Sequence, residues 1–264
     1  MSQLIDTHCH LNLGQYETDQ AKVIEEALKA GVHQIVTPGV TLESFSSALA
    51  LNQKYPGRLF CALGIHPTEA QQFSPEVYTQ FLDASIHDGV VAIGETGLDY
   101  YWDQCPEAIQ HHSLRQHIQL AKTTKLPLIL HIRDKQDSTR AYNDILRILQ
   151  EEKAHTVGGV MHCFSGTLDF AHAAIALNFK IAFGGVLTFK NAHQLHHVAQ
   201  TIDLQHVVLE TDSPWLTPAP HRGQRNAPAY IKYIAQKLAE LRGLPFEKIA
   251  EITTHNARVL FKIS

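Results

Sequence analysis

Asp6-Thr7-His8-Cys9-His10 sets two imidazoles two residues apart directly after the first apolar run, Leu4-Ile5. Four more short β-type runs finish in good ligands for divalent cations. Glu95 follows Val90 to Gly94, His131 follows Leu128 to Leu130, His162 follows Val160-Met161, and Asp212 follows Val207 to Thr211. Side chains alternate along a strand, so His8 and His10 share a face while Cys9 turns to the other. Imidazole nitrogen with carboxylate oxygen suits Zn²⁺ or Mn²⁺, and Mg²⁺ where carboxylate and water predominate. Glu95 offers two oxygens and can bridge two ions about 3.5–4 Å apart. His131 and His162 would complete the second site, and Asp212 could ligate the first ion while accepting a proton from its water. Any one of His131, His162 or Asp212, taken alone, also reads as a hydrogen-bonded strand-end residue. Five strands ending together in ligand types point to a metal centre.

Ligands this far apart in sequence converge when their strands form a parallel barrel and all lie at its carboxyl ends. The chain alternates strand-like and helix-like segments throughout. Strand runs fall near 4–8, 33–37, 59–65, 90–95, 127–132, 157–163, 180–184 and 206–211. Helical patterns fall near 19–30, 42–54, 75–87, 107–124, 138–152, 168–177, 190–201 and 228–242. Ala30-Gly31, Tyr55-Pro56-Gly57, Leu126-Pro127 and Gly184-Gly185 punctuate them. Eight such units predict a single-domain (β/α)₈ TIM barrel over residues 1–264, with the metal site at the C-terminal face of its strands. A tail from Leu244-Pro245 reads as two short helices covering the barrel. A doubly wound sheet would carry a glycine-rich phosphate loop after its first strand, where His8-Cys9-His10 stands instead.

Hydrophobic residues make up 44% and charged residues 18% of the 264, as in ordinary globular proteins. No apolar run reaches the roughly 18 residues of a membrane span. Met1-Ser2-Gln3 leads straight into the first strand without the pattern of a signal peptide, so a cytoplasmic protein away from the membrane is expected. Cys9, Cys61, Cys105 and Cys163 show no disulfide or C-x-x-C spacing, and Cys9 and Cys163 are expected to turn outward and pack. A net charge of −4 argues against a broad duplex-binding face but leaves room for nucleic acid held locally. Among the 18 histidines, His111, His112, His193, His196 and His197 fall in polar helical stretches and read as solvated surface.

The chain resembles the TatD family of metal-dependent hydrolases, within the amidohydrolase-like group of barrels. The resemblance rests on segments running from end to end: Ile5-Asp6-Thr7-His8-Cys9-His10-Leu11, Gly64-Ile65-His66-Pro67, Gly94-Glu95-Thr96-Gly97-Leu98-Asp99-Tyr100-Tyr101, and Leu130-His131-Ile132-Arg133-Asp134. It continues through His162-Cys163-Phe164-Ser165-Gly166, Glu210-Thr211-Asp212-Ser213-Pro214-Trp215-Leu216, Pro220-His221-Arg222-Gly223 and Thr253-Thr254-His255-Asn256-Ala257. It implies one metal at His8, His10, Glu95 and Asp212, a second at Glu95, His131 and His162, and phosphodiester hydrolysis on DNA, with single-stranded ends preferred. Glu95 takes the position of the carbamylated lysine of some amidohydrolases, so no lysine modification is required.

Other residues sit where a substrate would meet the strand ends. His66 should face the same mouth, as a donor to a phosphate oxygen, as the next candidate base after Asp212, or as a buttress of its loop. Arg133 shares a face with His131 and suits bidentate phosphate recognition, unless Asp134 or Asp99 pairs with it. Arg222 follows the eighth strand, where barrels often bind phosphate, and Gly223 would allow close backbone approach. Arg225 reads as solvated and Asn226 as a helix cap. Tyr100, Tyr101, Trp102, Phe164 and Trp215 could stack bases or pack as a rim.

These residues predict a two-metal phosphodiesterase acting on nucleic-acid ends or a nucleotide-linked substrate, and the resemblance implies that it is a deoxyribonuclease. In it Asp212, Glu95 and His66 are catalytic, while Arg133, Arg222 and His66 hold phosphate. The alternative is a metal-dependent carboxylic ester or amide hydrolase, for instance a deacylase of an aminoacyl-tRNA ester, because fold does not fix substrate. A non-catalytic metal-binding protein is the third reading. The sequence leaves the oligomeric state open.

Overall fold

A computed structural model describes residues 3–264. Eight parallel strands pair in chain order: β1 (Leu4–Asp6), β2 (Val32–Pro38), β3 (Leu59–Leu63), β4 (Val90–Asp99), β5 (Leu128–Arg133), β6 (Gly159–Met161), β7 (Phe179–Phe183) and β8 (Val207–Leu209). The helices between and after them are α1 (Gln20–Lys29), α2 (Leu42–Lys54), α3 (Pro75–Ala84), α4 (Glu107–Thr124), α5 (Arg140–Glu151), α6 (Leu168–Ala176), α7 (His193–Thr201), α8 (Ile231–Arg242) and α9 (Phe246–Phe261). This is the expected (β/α)₈ TIM barrel. Local chemistry sets several boundaries: Thr41 and Ser44 form a reciprocal capping box on α2, and Ser74 caps α3 just ahead of Pro75.

Alternation divides the apolar residues between two cores. One face of each strand packs under the helices. The other fills the barrel, and every strand contributes to it: Ile5, Val36, Ala62, Val91, Ile129, Val160, Ala182 and Val208. Ala257 and Phe261 of α9 join this inner cluster, as does Ile263 beyond it. The tail is therefore one 16-residue helix whose apolar face seals the inner core, not two short helices. Nothing breaks it between Phe246 and Phe261, because Thr253-Thr254 is buried and Thr253 bonds back to Ile249. Among the described residues no helix is long and apolar enough to cross a membrane.

The barrel closes differently at its last seam. Thr7 N–H reaches the Leu209 carbonyl at 3.1 Å, and beyond it Cys9 and Ser213 form an isolated parallel bridge. The Asp212 N–H reaches the His8 carbonyl and the His10 N–H the Ser213 carbonyl, each at 2.9 Å. Buried Asp6 braces these backbone bonds, accepting from the Thr211 N–H at 2.9 Å and the Thr211 hydroxyl at 2.6 Å, where the β1 and β8 ends carry His8, His10 and Asp212.

The turn after β3 rests on His117 of α4, which is fully buried. Its Nδ1–H donates to the Ser113 carbonyl at 2.8 Å, so Nε2 must accept the Ile65 N–H at 3.1 Å. Only the neutral ring can do both. Burial pushes its pKa down to about 4 from the ordinary 6.5, against the pull of the Ser113 carbonyl. The unfolded chain therefore binds more protons between these values, and stability is lost as pH falls from 6.5 through about 4. His117→Phe should remove this component and cost roughly 1–3 kcal/mol at pH 8 through the orphaned Ile65 N–H. Urea midpoints measured for both proteins across this window check it; parallel profiles would reject the assignment.

Candidate metal centre

The ligand candidates extend the inner faces of their strands past the apolar layer. Ile129 is followed at alternate positions by His131 and Arg133, Val160 by His162, and Val208 by Glu210 and Asp212. Glu95 needs an irregularity, because Ala92 faces the inner core and Ile93 the outer one, so plain alternation would turn Glu95 outward. Ile93 pairs with Leu128 but Thr96 with Leu130, so β4 carries one extra residue at Gly94-Glu95. Gly94 and Gly97 adopt φ near +147° and +146°, and a Cβ on them would stand 2.5 Å from the Ile129 carbonyl oxygen and 2.0 Å from that of His131. The strand expected to end at Glu95 therefore runs on to Asp99, with Glu95 thrown inward at its middle.

Six side chains expected to ligate come together at the mouth: His8, His10, Glu95, His131, His162 and Asp212. Glu95 Oε2 lies 3.2 Å from His8 Nε2 and 3.6 Å from His10 Nε2. Its other oxygen lies 3.0 Å from His131 Nδ1 and 3.8 Å from His162 Nε2. Asp212 Oδ1 stands 3.8 Å from His8 Nε2 and 3.6 Å from His10 Nε2, and those two nitrogens are 3.0 Å apart. Nitrogen and oxygen ligands about 2.0–2.2 Å from a tetrahedral ion are separated by roughly 3.4 Å. The first cluster fits a divalent ion by this measure. Burial alone would raise Glu95 and Asp212, but the surrounding histidines hold both carboxyls below their usual range.

Two acids that the sequence reading did not assign to the centre aim its histidines. Asp99 Oδ2 receives His131 Nε2–H at 2.9 Å, leaving the Nδ1 lone pair, 3.0 Å from Glu95 Oε1, for the centre. Glu210 Oε2 receives His162 Nδ1–H at 3.0 Å, leaving Nε2 for the centre. Strand alternation from Val208 and Asp212 was a signal for Glu210; Asp99 lay beyond the expected end of β4. His8 and His10 have no partner at Nδ1 and are aimed by packing: His8 stacks on His162 at 3.4 Å, and His10 meets Trp215 edge-on at 5.1 Å.

The ligands open into a cavity of about 760 Å³ walled by His66, Arg133, Phe164, Val186 and the two tryptophans, among others. His66 Nδ1 faces the Thr68 N–H at 3.3 Å and its hydroxyl at 2.7 Å, so Nε2 carries the proton and faces Glu95 Oε1 at 3.7 Å. Burial, reinforced by His131, pushes this imidazole down to about 3 and keeps it neutral. The Arg133 guanidinium pairs with neither Asp134 nor Asp99; it lies over Tyr101 at 4.1 Å and Trp102 at 5.4 Å.

Several expectations are corrected. Arg222 stands over the Phe189 ring at 4.0 Å, outside the cavity lining, because the loop after β8 turns it away. Cys163 lines the cavity, since its φ of 47° breaks the strand alternation after His162. Cys9 packs in the core as expected. Asn226 caps no helix; buried, it donates to the Thr211 carbonyl at 2.8 Å and that of Trp215 at 2.6 Å, tying down the loop after β8. Arg225 pairs with Asp19. Tyr100 is buried, its hydroxyl donating to Asp144 at 2.9 Å, and Phe164 is buried too. His111 and His196 are half-buried and hydrogen-bonded, while His112, His193 and His197 are exposed.

The hydrogen bonds of Glu210 generate a prediction. In Glu210→Gln the amide oxygen would keep the Cys163 N–H, now 2.6 Å from Oε1, and the amide NH₂ would face His162 Nδ1. That drives the ring proton to Nε2 and blocks ligation. Affinity for divalent ions, read by chelator competition, should fall roughly 10–100-fold. An unchanged affinity would show that Glu210 does not set the tautomer.

Comparison with known proteins gives the chain's family. The family described as TatD related DNase matches residues 5–262. The uncharacterized metal-dependent hydrolase YabD of Bacillus subtilis is 44% identical over 261 residues, spanning 99% of this chain and 100% of its own. The uncharacterized metal-dependent hydrolase YcfH of Escherichia coli is 37% identical, with 98% and 96% covered. Among solved structures, the TatD homologue YJJV of Escherichia coli superposes with a TM-score of 0.91 at 32% identity, covering 100% of this chain and 99% of that one. The chain belongs to the TatD family of metal-dependent hydrolases.

Proposed function

We propose that this hydrolase uses two divalent ions to cleave phosphodiesters at nucleic-acid ends. The observation that carries the reading is Glu95, one buried carboxylate whose two oxygens face separate ligand sets. His8, His10, Glu95 and Asp212 would hold one ion, and Glu95, His131 and His162 the other. Bound there, the ions would acidify water and offset charge on the transferring phosphoryl group. Asp212, held ionised, takes the proton of the attacking water. Arg133 meets a non-reacting phosphate oxygen, as the one lysine or arginine in the cavity lining among the described residues. His66 presents an N–H to the cavity and serves as donor rather than base, because Thr68 occupies its other nitrogen. A metal-loaded assay on single-stranded oligonucleotide, aminoacyl-tRNA and nitrophenyl ester tests the reading. Cleavage of either of the last two without the first would overturn it.

Two ions sharing Glu95 should appear as two equivalents of Mn²⁺ or Zn²⁺ at saturation by metal analysis, falling in Glu95→Ala. One equivalent at most, unchanged by that substitution, would reject the shared site.

Asp212→Asn keeps an oxygen for the ion but cannot take a proton, so turnover at matched metal content should fall ~10²–10⁴-fold. Metal content must be measured beside rate, since an empty site mimics a missing base. Most activity retained at full occupancy would place the base elsewhere.

A further inference from the structure

We infer that Trp102 and Trp215 are stacking platforms for unpaired nucleobases on the two sides of the ligand cluster, so that the site selects nucleic-acid strands over phosphodiesters without bases. The inference rests on the phosphodiesterase reading and names what its substrate must carry.

Both indoles are unusually open for their size, at 47% and 46% exposure, and both line the cavity. Tyr101 and Leu216, beside them in sequence, are exposed as well. Half of the large exposed apolar side chains among the described residues thus gather at this mouth, the kind of patch that marks a binding surface. The neighbouring rings that merely pack, Tyr100 and Phe164, are buried at 5% and 4%.

The platforms are anchored through the centre. Asp99 Oδ2 holds His131, and its Oδ1 accepts the N–H groups of Tyr101 at 2.9 Å and Trp102 at 3.0 Å. One carboxylate thereby fixes both a ligand of the second cluster and the loop that presents Trp102. On the other side, Trp215 touches His10 of the first cluster edge-on, while its N–H bonds the Asp212 carbonyl at 3.0 Å and its own carbonyl is held by Asn226. A phosphodiester at the ligands would have its two flanking nucleotides directed toward opposite tryptophans, with Arg133, which lies over one face of Trp102, available to the phosphate. In a duplex the two bases flanking a phosphodiester stack on each other, so parting them onto opposite platforms requires an unpaired strand.

The chain has only these two tryptophans, so its indole fluorescence reports the mouth alone. Metal-loaded protein is titrated with phosphorothioate octathymidylate and with an abasic octamer of the same backbone. Hydrolysis of the phosphodiester forms is measured for wild type, Trp102→Leu, Trp215→Leu and the corresponding phenylalanine variants. The thymidylate should quench and the abasic chain should not. Each leucine variant should raise KM for octathymidylate roughly tenfold, and phenylalanine should restore much of it. kcat should hold in Trp102→Leu, whereas any fall in Trp215→Leu, which removes the edge contact on His10, should be equal on the two octamers. KM for the abasic chain should not respond to either leucine variant. Equal quenching and equal KM for the two octamers, with leucine variants behaving as wild type, would overturn the platforms and leave the phosphodiesterase standing. Failure of the wild type to cleave either octamer would overturn the phosphodiesterase reading, while quenching would still decide the platforms.

Discussion

A single buried carboxylate organises the mouth of the barrel. Glu95 lies almost wholly out of solvent, where an ionised group persists only if charge or hydrogen-bond donors surround it. Histidines from β5 and from beyond β1 and β6 supply that surrounding, split between its two oxygens. To reach this point β4 must bulge, and the bulge needs the open backbones of Gly94 and Gly97 against β5. Without the bulge, pleating from inward Ala92 and outward Ile93 would turn Glu95 away from the ligands.

Around this carboxylate the structure gives up regularity where chemistry needs it. Cys163, Asp212 and Leu216 all take positive φ, a conformation costing non-glycine residues of order 1 kcal/mol or more, and all three line the same cavity. The seam between β1 and β8 closes through a few backbone bonds braced by Asp6 and Thr211 rather than a full ladder. The first ligand cluster straddles that seam, with His8 and His10 on one side and Asp212 on the other, so any ion held there ties both sides together. Asp99 and Glu210 then commit His131 and His162 to one tautomer each, which decides the nitrogen presented to the centre.

The cavity combines two characters. Its floor is ionic, with carboxylates and imidazoles crowded within hydrogen-bonding range. Its walls are apolar, from Val186 and Phe164 to the open faces of Trp102 and Trp215, with Arg133 lying across Tyr101. A reacting group that is charged and carries flat apolar substituents matches both parts.

The amino-acid sequence by itself determined the barrel and the metal-ligand types. Strand and helix periods are local properties, and inward positions recur every second residue, so His8, His10, His131, His162 and Asp212 were legible as ligand candidates that gather at the strand ends. What it could not decide is where irregular backbone sends a side chain. Glu95 depends on a bulge whose register belongs to two strands at once, and Asp99 became part of the centre only because β4 continues past it. Cys163 escaped the alternation rule through one left-handed residue, Arg222 left the cavity with the turn of its loop, and Asn226 found carbonyls rather than a helix end. The tail became one helix because its apolar face had the open end of the inner core to fill. Each of these outcomes rests on a partner distant in sequence, and only the tertiary structure brings such partners together.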